Sequence, residues 1–204
     1  MSVVVSNRDR LLEAAIEAIE RDGEAALRVD QVAEAVGVTK PSIYHFFHDR
    51  DGLIVAAQAE RYRRSITYLL ADLDLDIVLE CESQAEYARL IHAVVMSSTS
   101  PDGVLRRRLR AQVLGSAVSR PALQESVGEV HRQTVATLAK VLGYGQKRGW
   151  FRPEFSSSAV AAWWFGAIFG RHLVEDYSNA DDANAWPAIT WSTIAHLMGV
   201  SADL

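Results

Sequence analysis

Residues 29–47, VDQVAEAVGVTKPSIYHFF, constrain the fold of this chain more than any other stretch. Apolar residues recur at helical spacing as far as Val36, and Gly37 then interrupts the pattern. A glycine just past a helix end can adopt the left-handed conformation without a side-chain clash. Thr39 can cap a second helix with its hydroxyl, and Pro41 suits the first turn of that helix. The stretch therefore predicts two short helices joined by a tight turn.

The order of small and buried residues across this turn is typical of a helix-turn-helix. Ala33 allows the two helices to cross closely, and Gly37 sets the turn that fixes their angle. Ile43, Phe46 and Phe47 turn inward at helical spacing, so the other side of the second helix is polar and faces outward. An ordinary helical hairpin is the alternative, but six matching positions and the polar outward face make it the weaker interpretation.

The outward face of the second helix supplies the candidate DNA contacts, because such a face can enter the major groove. Hydroxyls, amides and cations on and around it can hold phosphates or meet base edges. We expect Arg28, Thr39 and Arg50 to lie near phosphates. The full set of candidate DNA-binding residues is Arg28, Thr39, Lys40, Pro41, Ser42, Tyr44, His45 and Arg50.

Residues 29–53, which end YHFFHDRDGL, resemble the N-terminal signature of TetR-family transcriptional regulators. That signature has a Gly-Val-Ser/Thr turn, an aromatic pair, and Ser-Lys-Glu before a leucine. The corresponding residues here are Gly37-Val38-Thr39, Phe46-Phe47, Asp49-Arg50-Asp51 and Leu53. Arg50 replaces the usual lysine, which keeps a phosphate-binding cation but changes its geometry. The close match covers the first quarter of the chain.

The charge of the chain argues against a non-specific nucleic-acid binder, because the 204 residues carry a formal net charge of −5. Residues 1–64 alone hold nine Lys and Arg against eleven Asp and Glu. DNA binding therefore has to depend on the local placement of Arg28, Lys40 and Arg50. A few phosphate contacts of this kind suffice for a dimer.

The composition predicts a globular chain with a sizeable core, since 49% of the residues are hydrophobic and 23% are charged. The single cysteine, Cys81, excludes an intramolecular disulfide and fits a reducing cytoplasm. The sequence shows no secretory signal. Its longest apolar run, residues 159–170, is too short to span a bilayer. We therefore expect a soluble, cytoplasmic protein that does not engage a membrane.

Helical periodicity continues along the chain and predicts an all-α fold. A first helix, capped by Ser6 and ended by Gly23, completes a three-helix helix-turn-helix DNA-binding domain over residues 1–49. Residues 50–204 are predicted to form a larger helical ligand-binding and dimerisation domain, starting with a long helix after Asp49. We expect a polar loop at residues 181–185 and Pro187 in the first turn of the last helix.

Two arginine clusters are predicted to be solvated helix faces. The cluster formed by Arg106, Arg107, Arg108 and Arg110 spreads around more than half of a helix circumference, so these arginines make no single basic stripe. The alternative interpretations are a DNA contact for the cluster at Arg61 and a second nucleic-acid site for the cluster at Arg106. The clusters are Arg61, Arg63 and Arg64, and Arg106, Arg107, Arg108 and Arg110.

The most apolar helix is predicted after Ser156–Ser158, and its first twelve residues are hydrophobic or small on every face. A second subunit is the simplest cover for such a helix, and Gly166 and Gly170 would allow close backbone approach. Together with the last helix it predicts a four-helix homodimer interface, which the family resemblance also implies. The candidate interface residues are Val160, Trp164, Gly166, Ala167, Gly170, Val174, Trp191, Ile194, Leu197 and Met198.

Aromatic and apolar residues of the long middle helices are the candidates for an effector pocket. Plain core packing is the stronger alternative for each of them taken singly. Their character favours a small, largely apolar effector. The candidates are Tyr62, Tyr87, Ile91, Met96, Val113 and Trp163.

The family resemblance implies a dimeric repressor whose two reading helices sit one DNA turn apart, about 34–36 Å, on a palindromic operator in double-stranded DNA. A small-molecule effector would favour a conformer with a different separation and so weaken operator affinity. The alternatives are a DNA-binding regulator without a small-molecule inducer, acting as an activator or controlled by a protein partner, and an enzyme with a vestigial helix-turn-helix.

The sequence offers little support for the enzyme alternative. It contains no phosphate loop, no Gly-x-Ser-x-Gly elbow and no His-Glu-x-x-His motif. Its six histidines are scattered, and none of them stands in a spacing typical of a zinc site. We therefore predict no catalytic residue, no metal and no cofactor.

Overall fold

The computed structural model describes residues 6–70, 75–98, 101–177 and 179–201, and within them every regular element is a helix. This confirms the predicted all-α fold class. In chain order the elements are α1 (Asn7–Asp22), the 3₁₀ turn η1 (Glu24–Ala26), α2 (Val29–Val36), α3 (Lys40–Phe47), α4 (Arg50–Leu70), α5 (Leu75–Glu80), α6 (Gln84–Ser98), α7 (Pro101–Ala117), α8 (Pro121–Lys147), α9 (Ser157–Glu175) and α10 (Ala180–Met198).

The described residues form two compact units. The N-terminal unit comprises Met1–Arg64 and Val113–Val127, as far as they are described, and the C-terminal unit comprises Ser65–Gln112 and Gly128–Leu204. Helices α4, α7 and α8 contribute residues to both units. The predicted division into residues 1–49 and 50–204 is a division by function and stays a prediction.

The N-terminal unit is built around one apolar cluster contributed by α1 to α4. Leu11, Ile43 and Leu53 are fully buried there, one from each of three helices. Local signals set the ends of α1 as predicted. The Ser6 hydroxyl accepts a hydrogen bond from the Asp9 backbone N–H at 3.2 Å, and Gly23 ends the helix with a positive φ of 82°.

The junction between α3 and α4 depends on Gly52. Asp49 caps α4, as predicted, by accepting a hydrogen bond from the Gly52 backbone N–H at 2.7 Å. A Cβ atom at position 52 would overlap the carbonyl oxygen of Phe47, the last residue of α3. Only glycine therefore lets α4 begin this close to the end of α3.

Tyr87 anchors α6 against α8 in the C-terminal unit. Its side chain is fully buried, and its hydroxyl donates to the Val141 carbonyl oxygen at 3.0 Å. Gly145 leaves room for the ring, since a Cβ there would lie 2.7 Å from the Tyr87 Cζ. Burial raises the pKa of the Tyr87 phenol well above its ordinary value, so the hydroxyl stays protonated and can donate.

The prediction for the last helix was wrong. Residues 181–185 are not a polar loop, because α10 already begins at Ala180 and carries Pro187 in its interior. The side chain of Asn179 caps the helix by accepting a hydrogen bond from the Asp182 backbone N–H at 2.9 Å. The acidic residues Asp181 and Asp182 in the first turn complement the positive end of the helix dipole.

The prediction of solvated arginines was wrong for three of them. Arg61, Arg107 and Arg110 are only 6%, 2% and 3% exposed. Arg61 donates to the side chains of Gln58 and Glu20, whereas Arg107 and Arg110 lie inside the C-terminal unit. Their burial depends on partners distant in sequence, which the local charge pattern does not show.

Among the described residues, no helix is both long and apolar enough to cross a membrane.

Candidate nucleic-acid interface

The turn between α2 and α3 has the conformation that its sequence predicts. Gly37 adopts the left-handed region at φ 73° and ψ 33°. The backbone N–H of Gly37 donates to the Glu34 carbonyl, and that of Val38 donates to the Ala33 carbonyl, both at 3.0 Å. These two bonds satisfy carbonyls that the end of α2 would otherwise leave open, and they fix the direction in which α3 departs.

Arg10 also stabilises this turn, and the sequence analysis missed it. Its Nη2 atom donates to the carbonyl oxygen of Val36, the last residue of α2, at 2.8 Å. Arg10 lies 26 residues earlier on α1, so no local spacing indicates the contact. The first helix thus holds the helix-turn-helix by a directed hydrogen bond as well as by apolar packing.

The predicted reading helix, α3, separates its apolar and polar sides. Ile43 and Phe47 are buried, and Phe46 is half-buried. Thr39 occupies the N-cap position, but its hydroxyl makes no capping hydrogen bond. Thr39, Lys40, Pro41, Tyr44 and His45 are exposed, whereas Ser42 is half-buried.

The two flanking arginines have different environments. Arg28 is exposed at the N-cap position of α2. Arg50 is exposed too, but its guanidinium donates to the carbonyl oxygens of Leu27 and Glu24 at 3.0 Å and of Ala25 at 3.2 Å. Arg50 therefore stabilises the end of η1, and a phosphate contact by it stays a prediction.

The end of α3 carries a strained residue. His48 has φ 69° and ψ −51°, the only positive φ of a non-glycine residue in the part of the chain that the structure describes. Side chains with a Cβ rarely adopt such a conformation, because the Cβ approaches the backbone. The strain lies directly beside the exposed polar side of α3, where conformational strain is often found at functional sites.

Two acidic residues of the N-terminal unit, Glu13 and Glu20, form ion pairs with arginines. Arg64 binds both carboxylate oxygens of Glu13 at 3.0 and 2.6 Å. The Arg64 hydrogen bond holds the pKa of Glu13 below its ordinary value. Arg61 lies 3.3 Å from a carboxylate oxygen of Glu20. These pairs reduce the negative field that the acidic composition would otherwise present to DNA.

Glu24 is the centre of a second polar network in this unit. Its carboxylate accepts hydrogen bonds from Ser116 at 2.6 Å and Gln58 at 2.7 Å, and Arg120 lies 2.8 Å away. Burial raises the pKa of Glu24, but these hydrogen bonds and the Arg120 charge outweigh it, so the pKa lies below its ordinary value. Arg120 also donates to Asp51 at 2.8 Å. The network ties η1 and α4 to the α7–α8 connection.

The candidate pocket residues do not form one group. Tyr62 and Val113 are fully buried in the N-terminal unit, and Tyr87 and Ile91 are fully buried in the C-terminal unit. Met96, also in the C-terminal unit, is half-buried. Whether any of them contacts an effector stays a prediction.

The two tryptophans of α9 differ in burial. Trp164, a candidate interface residue, is fully buried within the chain. Trp163, a candidate pocket residue, is 46% exposed and borders an apolar groove of about 340 Å³. The groove is lined by Phe155, Ala159, Val160, Trp163, Thr193 and Leu197.

The remaining candidate interface residues divide between the two sides of α9 and α10. Those that a single chain already buries have little surface left for a partner; they are Val160, Trp164, Trp191, Ile194 and Met198. Those that retain exposed surface are Gly166, Ala167, Gly170, Val174 and Leu197. The interface itself stays a prediction.

Comparisons with known proteins agree with this geometry. Residues 11–57 match the model of the bacterial regulatory proteins of the tetR family. The chain is 28% identical over 152 residues to the HTH-type transcriptional regulator BetI of Escherichia coli, covering 68% of this chain and 75% of that protein.

Solved structures share the fold along nearly the whole chain. A TetR-family transcriptional regulator from Rhodococcus sp. has a TM-score of 0.66 and 22% identity, and the match covers 94% of this chain and 98% of the other. A transcriptional regulator from Saccharomonospora viridis in complex with choline has a TM-score of 0.65 and 19% identity, with 93% and 95% covered.

The all-α fold and the helix-turn-helix with its exposed polar helix are those of a DNA-binding transcriptional regulator. The family model, the BetI relatives and the solved structures agree with this class. Residues 11–57 match the DNA-binding region of the tetR family, and the chain is similar to transcriptional regulators of that family.

Proposed function

We propose that this chain is a cytoplasmic, dimeric repressor that binds a palindromic operator and is released from it by a small-molecule effector. In this proposal residues 1–49 bind DNA, and residues 50–204 bind the effector and dimerise. One observation carries the DNA-binding part: Lys40, Tyr44 and His45 share an exposed side of α3, whose direction Gly37 and Arg10 fix.

The proposed DNA contacts follow from that exposed side. Tyr44 and His45 offer hydrogen-bonding groups on a surface that can enter the major groove. Lys40, at the beginning of α3, and Arg28 offer cations for phosphates on either side of it. Because a dimer presents each residue twice, even this modest positive charge is doubled on a palindromic site.

The test of DNA binding is selection of duplexes from a random pool, followed by affinity measurements over a range of salt concentrations. We expect a palindrome with half-sites about one turn apart. Lys40→Ala should weaken binding to all sequences and reduce the salt dependence by about two counterions per dimer. Tyr44→Ala should weaken binding to the selected operator. The matched control is Lys147→Ala, which removes an exposed lysine of α8. No enrichment at low salt from the folded dimer would refute the proposal.

A second copy of the chain is the proposed cover for the exposed side of α9. Ala159, Trp163, Gly166, Gly170 and Leu173 follow one another at intervals of three and four residues, so they form one stripe along the helix. Leu173 is 68% exposed, and the apolar groove beside Trp163 continues the stripe. Among the described residues, no side chain lies within 4 Å of a Cβ built at Gly166 or Gly170, so a partner helix could approach there.

Sedimentation velocity tests this interface. Trp163→Asp places a charge in the apolar groove, so we expect it to yield monomers and to lose operator binding. The matched control is Leu105→Asp, which changes another exposed apolar residue, 73% exposed on α7. A Trp163→Asp protein that remains dimeric would exclude this side of α9 from the interface.

Small-molecule control is supported by the fold relative that was solved with choline. The C-terminal unit of this chain has the buried aromatic and apolar side chains that such a site needs, among them Tyr87 and Ile91. An effector acts only if it binds the DNA-competent and DNA-incompetent conformers with different affinities. A regulator without an inducer is the second candidate, and it would keep its operator affinity unchanged in the presence of every ligand that binds it.

A further inference from the structure

The C-terminal unit contains a buried ion cluster that DNA binding does not use. Arg107 donates from Nε and Nη2 to the two carboxylate oxygens of Glu175, at 2.8 and 2.7 Å, and from Nη1 to the Ser98 carbonyl oxygen at 2.9 Å. Arg171 donates from Nε to Glu175 at 3.1 Å. The side chains of Arg107, Glu175 and Arg171 are 1%, 7% and 9% exposed.

This cluster has two guanidiniums for one carboxylate among the described residues. The nearest further carboxylate in sequence, Asp176, is engaged by Arg108 at 2.7 Å. Among the described residues, the two buried guanidiniums therefore share a single buried carboxylate. A buried charge is unfavourable unless an opposite charge pairs with it, so the cluster favours a further anion.

Two buried nitrogen donors on the same side of α9 have no hydrogen-bond partner in the part of the chain that the structure describes. They are Nη1 of Arg171 and Nε1 of Trp164. They are seven positions apart, which is about two turns or 10 Å along the helix axis. Both groups can only donate, so whatever satisfies them has to supply acceptor oxygens.

The surroundings of these donors are apolar. Ile168 lies between them on the same side of α9 and is 5% exposed. Phe165, next to Trp164, packs its ring 4.9 Å from that of His131 and 4.8 Å from that of Phe169, measured between ring centroids. A ligand that reaches both donors therefore lies along aromatic and aliphatic side chains.

We infer that the effector is an extended organic carboxylate, with its carboxylate on Arg171, an apolar body along Ile168 and a second oxygen acceptor facing Trp164. This inference rests on the proposed function, since it assumes that a small molecule binds in the C-terminal unit. The ligand carboxylate gives the cluster two cations and two anions. The apolar body agrees with the composition of the core, but the anionic end was not predicted from the sequence.

The cluster also excludes ligands of the opposite charge. A carboxylate pairs with a guanidinium through charge-assisted hydrogen bonds, which are about twice as strong as neutral ones. A neutral amide of the same shape lacks that gain, and a quaternary ammonium such as choline would add a further positive charge beside the two guanidiniums. The expected order of affinity is therefore carboxylate, amide, choline.

The test uses 8-hydroxyoctanoate, octanoate, octanamide and choline as probes of the purified full-length protein, with calorimetric titration and thermal unfolding as readouts. We expect both carboxylates to bind and to raise Tm, and octanamide to bind at least tenfold more weakly. Choline should cause no shift. Binding of octanamide or choline as tight as that of the carboxylates would overturn the inference. It would also be overturned if neither carboxylate binds, which is the result expected if buried water satisfies the two donors.

Three variants locate the site. Arg171→Met should weaken octanoate binding at least tenfold, whereas Arg171→Lys should restore part of it because it keeps the charge. Trp164→Phe keeps an aromatic ring but removes the N–H group, so it should weaken 8-hydroxyoctanoate and leave octanoate unchanged. The matched control is Arg108→Met, which removes an arginine of α7 that is 53% exposed. Unchanged carboxylate affinity in Arg171→Met, or unchanged 8-hydroxyoctanoate affinity in Trp164→Phe, would refute the corresponding contact.

Operator binding distinguishes this inference from the proposed function. If the carboxylates bind through Arg171 but leave operator affinity unchanged, the inference that the ligand is a carboxylate is kept. The proposal that this ligand controls DNA binding is then refuted. If choline or octanamide releases the operator and the carboxylates do not, effector control stands and the carboxylate assignment fails.

Discussion

Helices α3 and α9 differ in how strongly their sequences determine which side faces the core. In α3 the polar residues Lys40 and His45 are exposed and the apolar residues Ile43 and Phe47 are buried, so only one rotation buries the apolar side. In α9 the first twelve residues are apolar or small, and several rotations would bury a similar area. The structure buries Trp164 and exposes Trp163. Contrast between two sides, rather than hydrophobicity, determines the rotation of a helix.

Trp164→Ala should have the largest effect on stability. It tests whether the side of α9 that carries Trp164 is the side that faces the core. Removing a fully buried tryptophan leaves a large cavity, so we expect the free energy of unfolding to fall by about 3–5 kcal/mol. Urea denaturation measures the loss. Trp163→Ala, at the same protein concentration, is the matched control and should cost less. Equal losses for the two variants would contradict the observed rotation of α9.

Glu175→Gln tests whether the charged residues at the end of α9 are shielded from water, as its apolar residues are. The substitution leaves Arg107 and Arg171 without their carboxylate, and we expect a loss of about 3 kcal/mol. Asp176→Asn is the control on the adjacent residue. Its partner Arg108 is 53% exposed, so the loss should be much smaller. A small loss for Glu175→Gln would show that the cluster is hydrated.

The pH dependence of stability provides a second measurement of the interaction of Glu175 with Arg107 and Arg171. Burial raises the pKa of Glu175, but hydrogen bonds from Arg107 and Arg171 and their charges outweigh it, so its pKa lies below its ordinary value. Because the folded-state pKa is lowered, the ion pair contributes fully above pH of about 4.3, the ordinary value, and its contribution is lost as the pH falls through the folded-state pKa. Glu175→Gln should therefore lose less stability than the wild type between pH 7 and pH 3.

Gly52→Ala tests the junction that positions α3. The added methyl group would overlap the Phe47 carbonyl oxygen, which is backbone and cannot rotate away. We expect a loss of about 1–3 kcal/mol in thermal or chemical unfolding, together with weaker operator binding. Gly115→Ala is the matched control, since no described side chain lies within 4 Å of a Cβ built there. A stable Gly52→Ala protein would show that α4 can shift relative to α3.

His48→Gly should have the smallest effect and should be stabilising. Glycine adopts the positive φ of 69° without the Cβ clash, and we expect a gain of about 0.5 kcal/mol after its greater flexibility in the unfolded chain is counted. His45→Gly, within α3, should instead destabilise by about 1 kcal/mol. Thermal unfolding of both variants gives the comparison. A destabilised His48→Gly protein would mean that the imidazole makes a contact that offsets the strain.

The sequence alone determined the features that depend on neighbours within one helical turn. The Ser6 and Asp49 caps, the left-handed turn at Gly37 and the inward direction of Ile43 all follow from residues at most four positions apart. For the same reason the helix-turn-helix and its exposed polar side could be predicted from residues 29–53. These interactions are short in sequence, so their pattern can be seen without the fold.

Only the tertiary structure decided which charges are buried and which side of α9 faces the core. Glu175 lies 68 residues from Arg107, and Arg10 lies 26 residues from Val36, so no local pattern connects them. The long-range partner also determines whether an arginine is stable in the interior, because the cost of burying it depends on the acceptor that meets it. Likewise, an evenly apolar helix has its rotation set by the shape and chemistry of what packs against it.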